Sequence, residues 1–157
     1  MEATELMIGD WVFNKHHKKY IQITPYDFFN HAHLPSGEKY FVNELKVISG
    51  RDFEPIPLTA EILERNGFSK VPQTECSNPY HWTLEKYEEG SEGLLYRIKA
   101  YKTLFRGMYV IIYNYADCEQ INFGKQIESV HELQHALHLC GLSDLVDKLK
   151  VEEKIHD

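Results

Sequence analysis

Two stretches decide how this chain reads: MYVIIYNY at residues 108–115 and SVHELQHALHLCG at residues 129–141. The first is apolar at both alternating sets of positions, the pattern of a strand with neighbours on both sides. The second carries Val130, Leu133, Leu137 and Cys140 three and four residues apart, one stripe of a helix that Gly141 ends. Upstream of 108, Leu94, Tyr96, Ile98 and Ala100 alternate with Leu95, Arg97, Lys99 and Tyr101. Before them, Tyr80, Trp82 and Leu84 alternate with His81, Thr83 and Glu85, and Ile121 and Phe123 alternate downstream. EEGSEG, FRG and YADCE are short enough to be hairpin connections. The expectation is a four-stranded antiparallel meander with a helix over about 129–140 laid across its apolar face.

The first third reads differently. LMIGDWVF, KYIQIT and KYFVNELKVIS, separated by polar or Pro/Gly-bearing loops such as HLPSGE, predict three short strands in a small β-barrel-like segment. A short helix follows, with Thr59 as N-cap, Leu58 and Leu63 as a hydrophobic staple, and Gly67 as the stop. Residues 69–78 read as a loop. The fold class is therefore α+β, with 1–68 as a β-rich segment ending in the short helix and 79–157 as the meander plus covering helix; one continuous domain is the alternative.

At 157 residues and 43% hydrophobic composition, the chain suits a compact soluble domain. No apolar run is long enough to cross a bilayer, and MEATELMIGD carries neither a basic nor an apolar leader region, so a cytoplasmic location without membrane contact is expected. Three cysteines (Cys76, Cys118, Cys140) with no CxxC pair argue against a disulfide framework. A net charge of -7 argues against nucleic acid as partner.

His131-Glu132-Leu133-Gln134-His135 is HExxH, which resembles the signature of the zinc metallopeptidases called zincins. Two histidines four apart on a helix point the same way and can share one zinc, and the glutamate can take a proton from metal-bound water. On that resemblance His131 and His135 are ligands, Glu132 is the general base, and Glu152 or Glu153 is the third ligand. The residues also support a plainer reading. Ser129 and Glu132 form S-x-x-E ahead of an apolar run, a capping box that places His131 and Glu132 in the first helical turn. At 100° per residue, His131, His135 and His138 fall away from the apolar stripe, on a side expected to be solvated. The metzincin pattern HExxHxxGxxH fails, because 138 is His and 141 is Gly. His138 lies about 10 Å along the axis from His131, too far to share its ion. The capping-box reading takes precedence, with no metal and no cofactor expected.

Four other features read as structural. Lys15-His16-His17-Lys18-Lys19 is a solvated turn between strands; a nucleic-acid role for it would show as strong salt dependence. His31 and His33 lack nearby carboxylates or cysteines at ligand spacing. Tyr109, Ile111, Tyr113 and Tyr115 share one strand face, expected to be covered, with a binding surface as the alternative. Cys140 is on the apolar stripe and reads as a small core residue.

LMIGDWVF, EPIPLTAEILERNGF and SVHELQHALHLCGL, in that order and spacing, resemble short uncharacterised proteins of gut bacteria found in prophage or mobile-element neighbourhoods. The resemblance spans roughly residues 5–150. It implies no activity, cofactor or catalytic residue, and it implies that VHELQHAL begins a packing helix. The leading expectation is a non-catalytic cytoplasmic accessory protein of a phage or mobile element that binds a protein partner the sequence does not name, with homo-oligomerisation open. The alternative is a minimal HExxH zinc hydrolase.

Overall fold

The structure is a computed structural model that describes residues 6–15, 17–24, 53–72, 81–103, 107–115 and 121–151, the side chains of 121–123 excepted. These residues form an α+β protein with a three-stranded sheet, a five-stranded antiparallel sheet and three helices. They fall into two compact units, one up to Ile56 and one from Pro57 to Lys150, with Val151 belonging to the first.

The first unit holds β1 (Trp11–Asn14), β2 (Lys19–Gln22) and β3 (Phe53–Pro55), paired antiparallel in the order β2-β1-β3. The expected third strand, KYFVNELKVIS, lies outside the described residues. Val12, Ile23 and Phe53 make the small core, with Leu6 and Ile21 packed against it. Asp10 and Asn14 are buried polar residues with local work. The Asp10 carboxylate accepts the Met7 N–H at 2.6 Å, and Asn14 Oδ1 accepts the His17 N–H at 2.9 Å. Asn14 thereby shapes the basic turn from the inside.

The second unit begins with α1 (Ala60–Arg65), whose N-cap Thr59 accepts the Ile62 N–H. Leu58 and Leu63 are both buried, as a staple requires. α1 thus stands with the sheet that follows it in sequence, and Trp82 Nε1 donates to Glu64 Oε1 at 2.9 Å. The sheet has the order β4 (Ser69–Val71), β5 (His81–Tyr87), β6 (Leu94–Lys102), β7 (Met108–Asn114), β8 (Ile121–Ile127). The meander has five strands rather than four. Ser-Lys-Val is too short and too polar to announce a strand, yet it pairs with β5 at Lys70↔Trp82.

Register explains the layering. Trp82, Ala100 and Val110 are lined up across β5, β6 and β7, as are Leu84, Ile98 and Ile112. Trp82, Ile98, Ala100, Val110 and Ile112 are buried, so one face of the sheet is core. Gly107, just before β7, lies close against the end of β8: its φ is +83°, and a Cβ there would lie 2.3 Å from the Ile127 carbonyl oxygen. α2 (Val130–Leu139) follows directly, and Leu133 and Leu137 meet Leu84 and Ile98 at a small apolar cleft that Phe68 and Leu149 also line. α3 (Ser143–Val146) turns back beyond Gly141, whose φ of +71° suits a glycine at a helix end. No helix among the described residues is long and apolar enough to cross a membrane.

Candidate functional site

The HExxH residues occupy the first half of α2, and their surroundings come from the way that helix starts. Ser129 is extended and buried at the N-cap. Glu132 Oε2 accepts the Glu128 N–H at 2.7 Å and the Ser129 N–H at 3.1 Å. This is the carboxylate half of a capping box. The Ser129 hydroxyl faces the Glu132 end of the box but makes no hydrogen bond of good geometry. Partial burial pushes the Glu132 carboxyl up, yet the two backbone N–H groups and the adjacent His131 outweigh it and hold the carboxyl below the usual 4.5.

His131 is 7% exposed and His135 half-buried, which corrects the expectation of a solvated histidine face at His131. On the helix wheel His131 stands about 100° from Val130, near enough to the apolar stripe to be covered when a ten-residue helix is packed on more than one side. Gln134 is fully buried for a related reason. It lies about 40° beyond Val130, on the border of the stripe next to it, so it is covered along with the stripe in spite of its polarity. Leu139, opposite the stripe, is 74% exposed. The His131 and His135 rings meet edge to face with centroids 5.8 Å apart. His138 points elsewhere, with Nδ1 2.9 Å from Ser143 Oγ.

Two imidazoles are brought together, but among the described residues no third His, Cys, Asp or Glu joins them as a metal-holding group. Glu152 and Glu153 lie outside the described residues, as do His31, His33, Cys76 and Cys118. Glu132, the general base of the zincin resemblance, is occupied with the helix end. Cys140 is buried and reduced, and burial pushes its thiol up, away from nucleophile chemistry.

The second candidate is the other face of the five-stranded sheet. Across β5, β6 and β7 it carries the rows His81–Tyr101–Tyr109, Thr83–Lys99–Ile111 and Glu85–Arg97–Tyr113. His81 stacks on Tyr101 with centroids 5.0 Å apart, and Tyr113 lies parallel to Tyr115 at 6.4 Å. Arg97 pairs with Glu85 directly across the strands, and the Tyr87 hydroxyl donates to the same carboxylate at 2.8 Å. The Tyr87 bond first, then Arg97, holds Glu85 below the usual carboxylate range, and Glu85 in turn pushes the Tyr87 phenol up. Tyr109 is 43% exposed and Tyr87 48%. Tyr109, Tyr113 and Tyr115 were visible as a stripe in the sequence. Arg97, Lys99, Tyr101 and His81 share their face, and only the cross-strand register, not the alternation within each strand, brings them together.

Lys15, His17, Lys18 and Lys19 are exposed at the β1–β2 turn, where Lys18 takes φ +50° and Lys15 pairs with Glu54 at 2.8 Å. Compared with protein-family models, curated proteins and solved structures, the chain matches none.

Proposed function

We propose that this chain is a non-catalytic accessory protein that acts by binding another protein through the tyrosine-bearing face of its five-stranded sheet. The observation that carries the reading is the bonding of Glu132, whose carboxylate closes the N-terminus of α2 through two backbone N–H groups. That makes the HExxH glutamate a structural residue with a defined job. The sheet face supplies a contact surface of the composition that dominates protein interfaces, with half-exposed Tyr87 beside the Glu85–Arg97 pair, Tyr113 opposite Arg97, and half-exposed Tyr109 opposite Tyr101. The resemblance to prophage and mobile-element proteins supports an accessory role in the cytoplasm.

The minimal zinc hydrolase is the second reading, favoured by the 5.8 Å approach of the His131 and His135 rings. Elemental analysis of untagged protein beside a His135→Ala variant separates the two. The binding reading expects no stoichiometric zinc in either; stoichiometric zinc that disappears in His135→Ala overturns it. A second arm compares proteins co-purified from host cells by wild type and by a Tyr109→Ser/Tyr113→Ser variant. A partner retained equally by both removes the sheet face from the reading.

A further inference from the structure

Across its five strands, the tyrosine-bearing face of the sheet carries three residues with a full charge at neutral pH: Glu85, Arg97 and Lys99. Two of them neutralise each other. Glu85 Oε1 accepts from Arg97 and Oε2 from the Tyr87 hydroxyl, so both oxygens of the carboxylate are occupied. Lys99, next but one to Arg97 on the central strand β6, is half-buried, and its ammonium makes no hydrogen bond or ion pair among the described residues. A chain of net charge -7 thus turns one unmatched positive charge outward from the middle of this face.

The row that holds Lys99, Thr83–Lys99–Ile111–Gly124, runs across β5, β6, β7 and β8. Its two ends are small side chains. Rings flank it, with Tyr101 and Tyr109 in the row on one side and Tyr113 in the row on the other. A Cβ at Gly124 would lie 2.7 Å from the Tyr109 hydroxyl, so Tyr109 leans over the glycine end. At the other end Thr83 Oγ1 is buried with no hydrogen-bond partner among the described residues. The row is a lane between rings with two polar groups that the chain itself does not pair. Four strands spaced about 4.8 Å apart make it about 14 Å long, the span of about four residues of extended peptide.

We propose that this row docks an acidic segment of the partner protein, with an Asp or Glu carboxylate of the segment on the Lys99 ammonium and its neighbouring apolar side chains against Tyr101, Tyr109 and Tyr113. The inference rests on the tyrosine face being the contact surface and adds what the partner must present there. A carboxylate seated between rings loses part of its water, which strengthens a charge-assisted hydrogen bond to the ammonium. One unmatched cation asks for one anion. A nucleic-acid backbone presents many, and it needs several free cations on a surface whose second cation, Arg97, is already held by Glu85. The net charge of the chain also repels a polyanion while leaving a single carboxylate matched.

The test selects peptides from a random displayed library on the full chain and measures the selected peptides by fluorescence anisotropy. They are expected to share an Asp or Glu beside aromatic or aliphatic residues. Lys99→Met should weaken their binding about tenfold or more, and Lys99→Arg should keep most of it, with circular dichroism checking the fold of each. Added salt gives a readout without substitution, because it should weaken binding to wild type more than binding to Lys99→Met. A selection that enriches no peptide, selected peptides without an acidic residue, or equal binding by wild type and Lys99→Met would each overturn the proposal. If such peptides are still lost in Tyr109→Ser/Tyr113→Ser, the tyrosine face stands as the contact surface and only the acidic segment falls. Peptides held equally by that double variant remove both. A single-stranded oligothymidylate that binds more tightly than the peptides, and loses affinity in Lys99→Met, overturns the proposal in favour of nucleic acid.

Discussion

Glu132 shows how one residue can satisfy a catalytic motif and a structural one with the same atoms. Its Oε2 accepts two N–H groups at the start of α2, where the helix dipole also favours a negative charge. The folded-state carboxyl is held below its ordinary value of 4.5, so as pH falls the unfolded chain takes up the proton first. Stability from this group is therefore complete above the ordinary glutamate range and is lost as pH drops through the lowered folded-state value. Glu132→Gln retains an acceptor for the backbone N–H groups but cannot ionise. It should lose little stability at neutral pH, and in urea titrations at several pH values it should show a shallower acid dependence than wild type. Glu132→Ala removes the acceptor and should cost about 1 kcal/mol at neutral pH. Equal acid dependence in wild type and Glu132→Gln would show that the cap is not what Glu132 contributes.

At the scale of the element, α2 was legible in its limits and incompletely legible in its environment. Ser129, Glu132 and Gly141 mark its two ends in the sequence because capping chemistry is local. The same sequence put His131 on the wet side, since a helix wheel knows one apolar stripe and not how many neighbours a helix has. Gln134, about 40° beyond Val130 on the wheel, is buried as a neighbour of the stripe, which its polar type does not announce. The end of α2 holds a similar buried polar contact. Asn114 on β7 is 7% exposed, and its Nδ2 donates to the Cys140 carbonyl at 2.6 Å, tying the last turn of the helix to the sheet. Nothing in MYVIIYNY announces that Asn114 has a partner 26 residues away. Asn114→Ala should cost about 1–3 kcal/mol in urea denaturation, because it leaves a carbonyl without its donor. Asn114→Asp sets a carboxylate against that carbonyl and should cost more than Asn114→Ala at neutral pH. A smaller loss for Asp than for Ala would place the stabilising contact elsewhere.

At the scale of the molecule, the alternation in β5 to β8 disclosed an antiparallel sheet because strand parity survives any tertiary context. The three-residue β4 carries too few residues to show a period, and the grouping of α1 with the large sheet is set by long-range contacts such as Trp82 with Glu64. The segment Pro57–Lys150 holds its own core, including Leu63, Ile98, Val110, Ile112, Leu133 and Leu137. Its two ends are also tied down within it. The Leu58 N–H donates to the Glu128 carbonyl, and Asn66 at the end of α1 clasps Lys150. The clasp has two bonds: Asn66 Nδ2 donates to the Lys150 carbonyl at 3.0 Å and Oδ1 accepts the Lys150 N–H at 2.8 Å. A segment that buries its apolar face and closes both ends should fold without the rest of the chain. Expressed alone, 57–150 is therefore expected to unfold cooperatively in urea, with the same midpoint by fluorescence of Trp82 and by far-ultraviolet circular dichroism. Asn66→Ala in that segment should lower its stability by about 1 kcal/mol while leaving the transition cooperative, because it opens the clasp and leaves the sheet intact. Non-coincident transitions, or a segment with secondary structure but no cooperative melt, would mean that the core inside Pro57–Lys150 is insufficient and that the first unit supplies part of its stability.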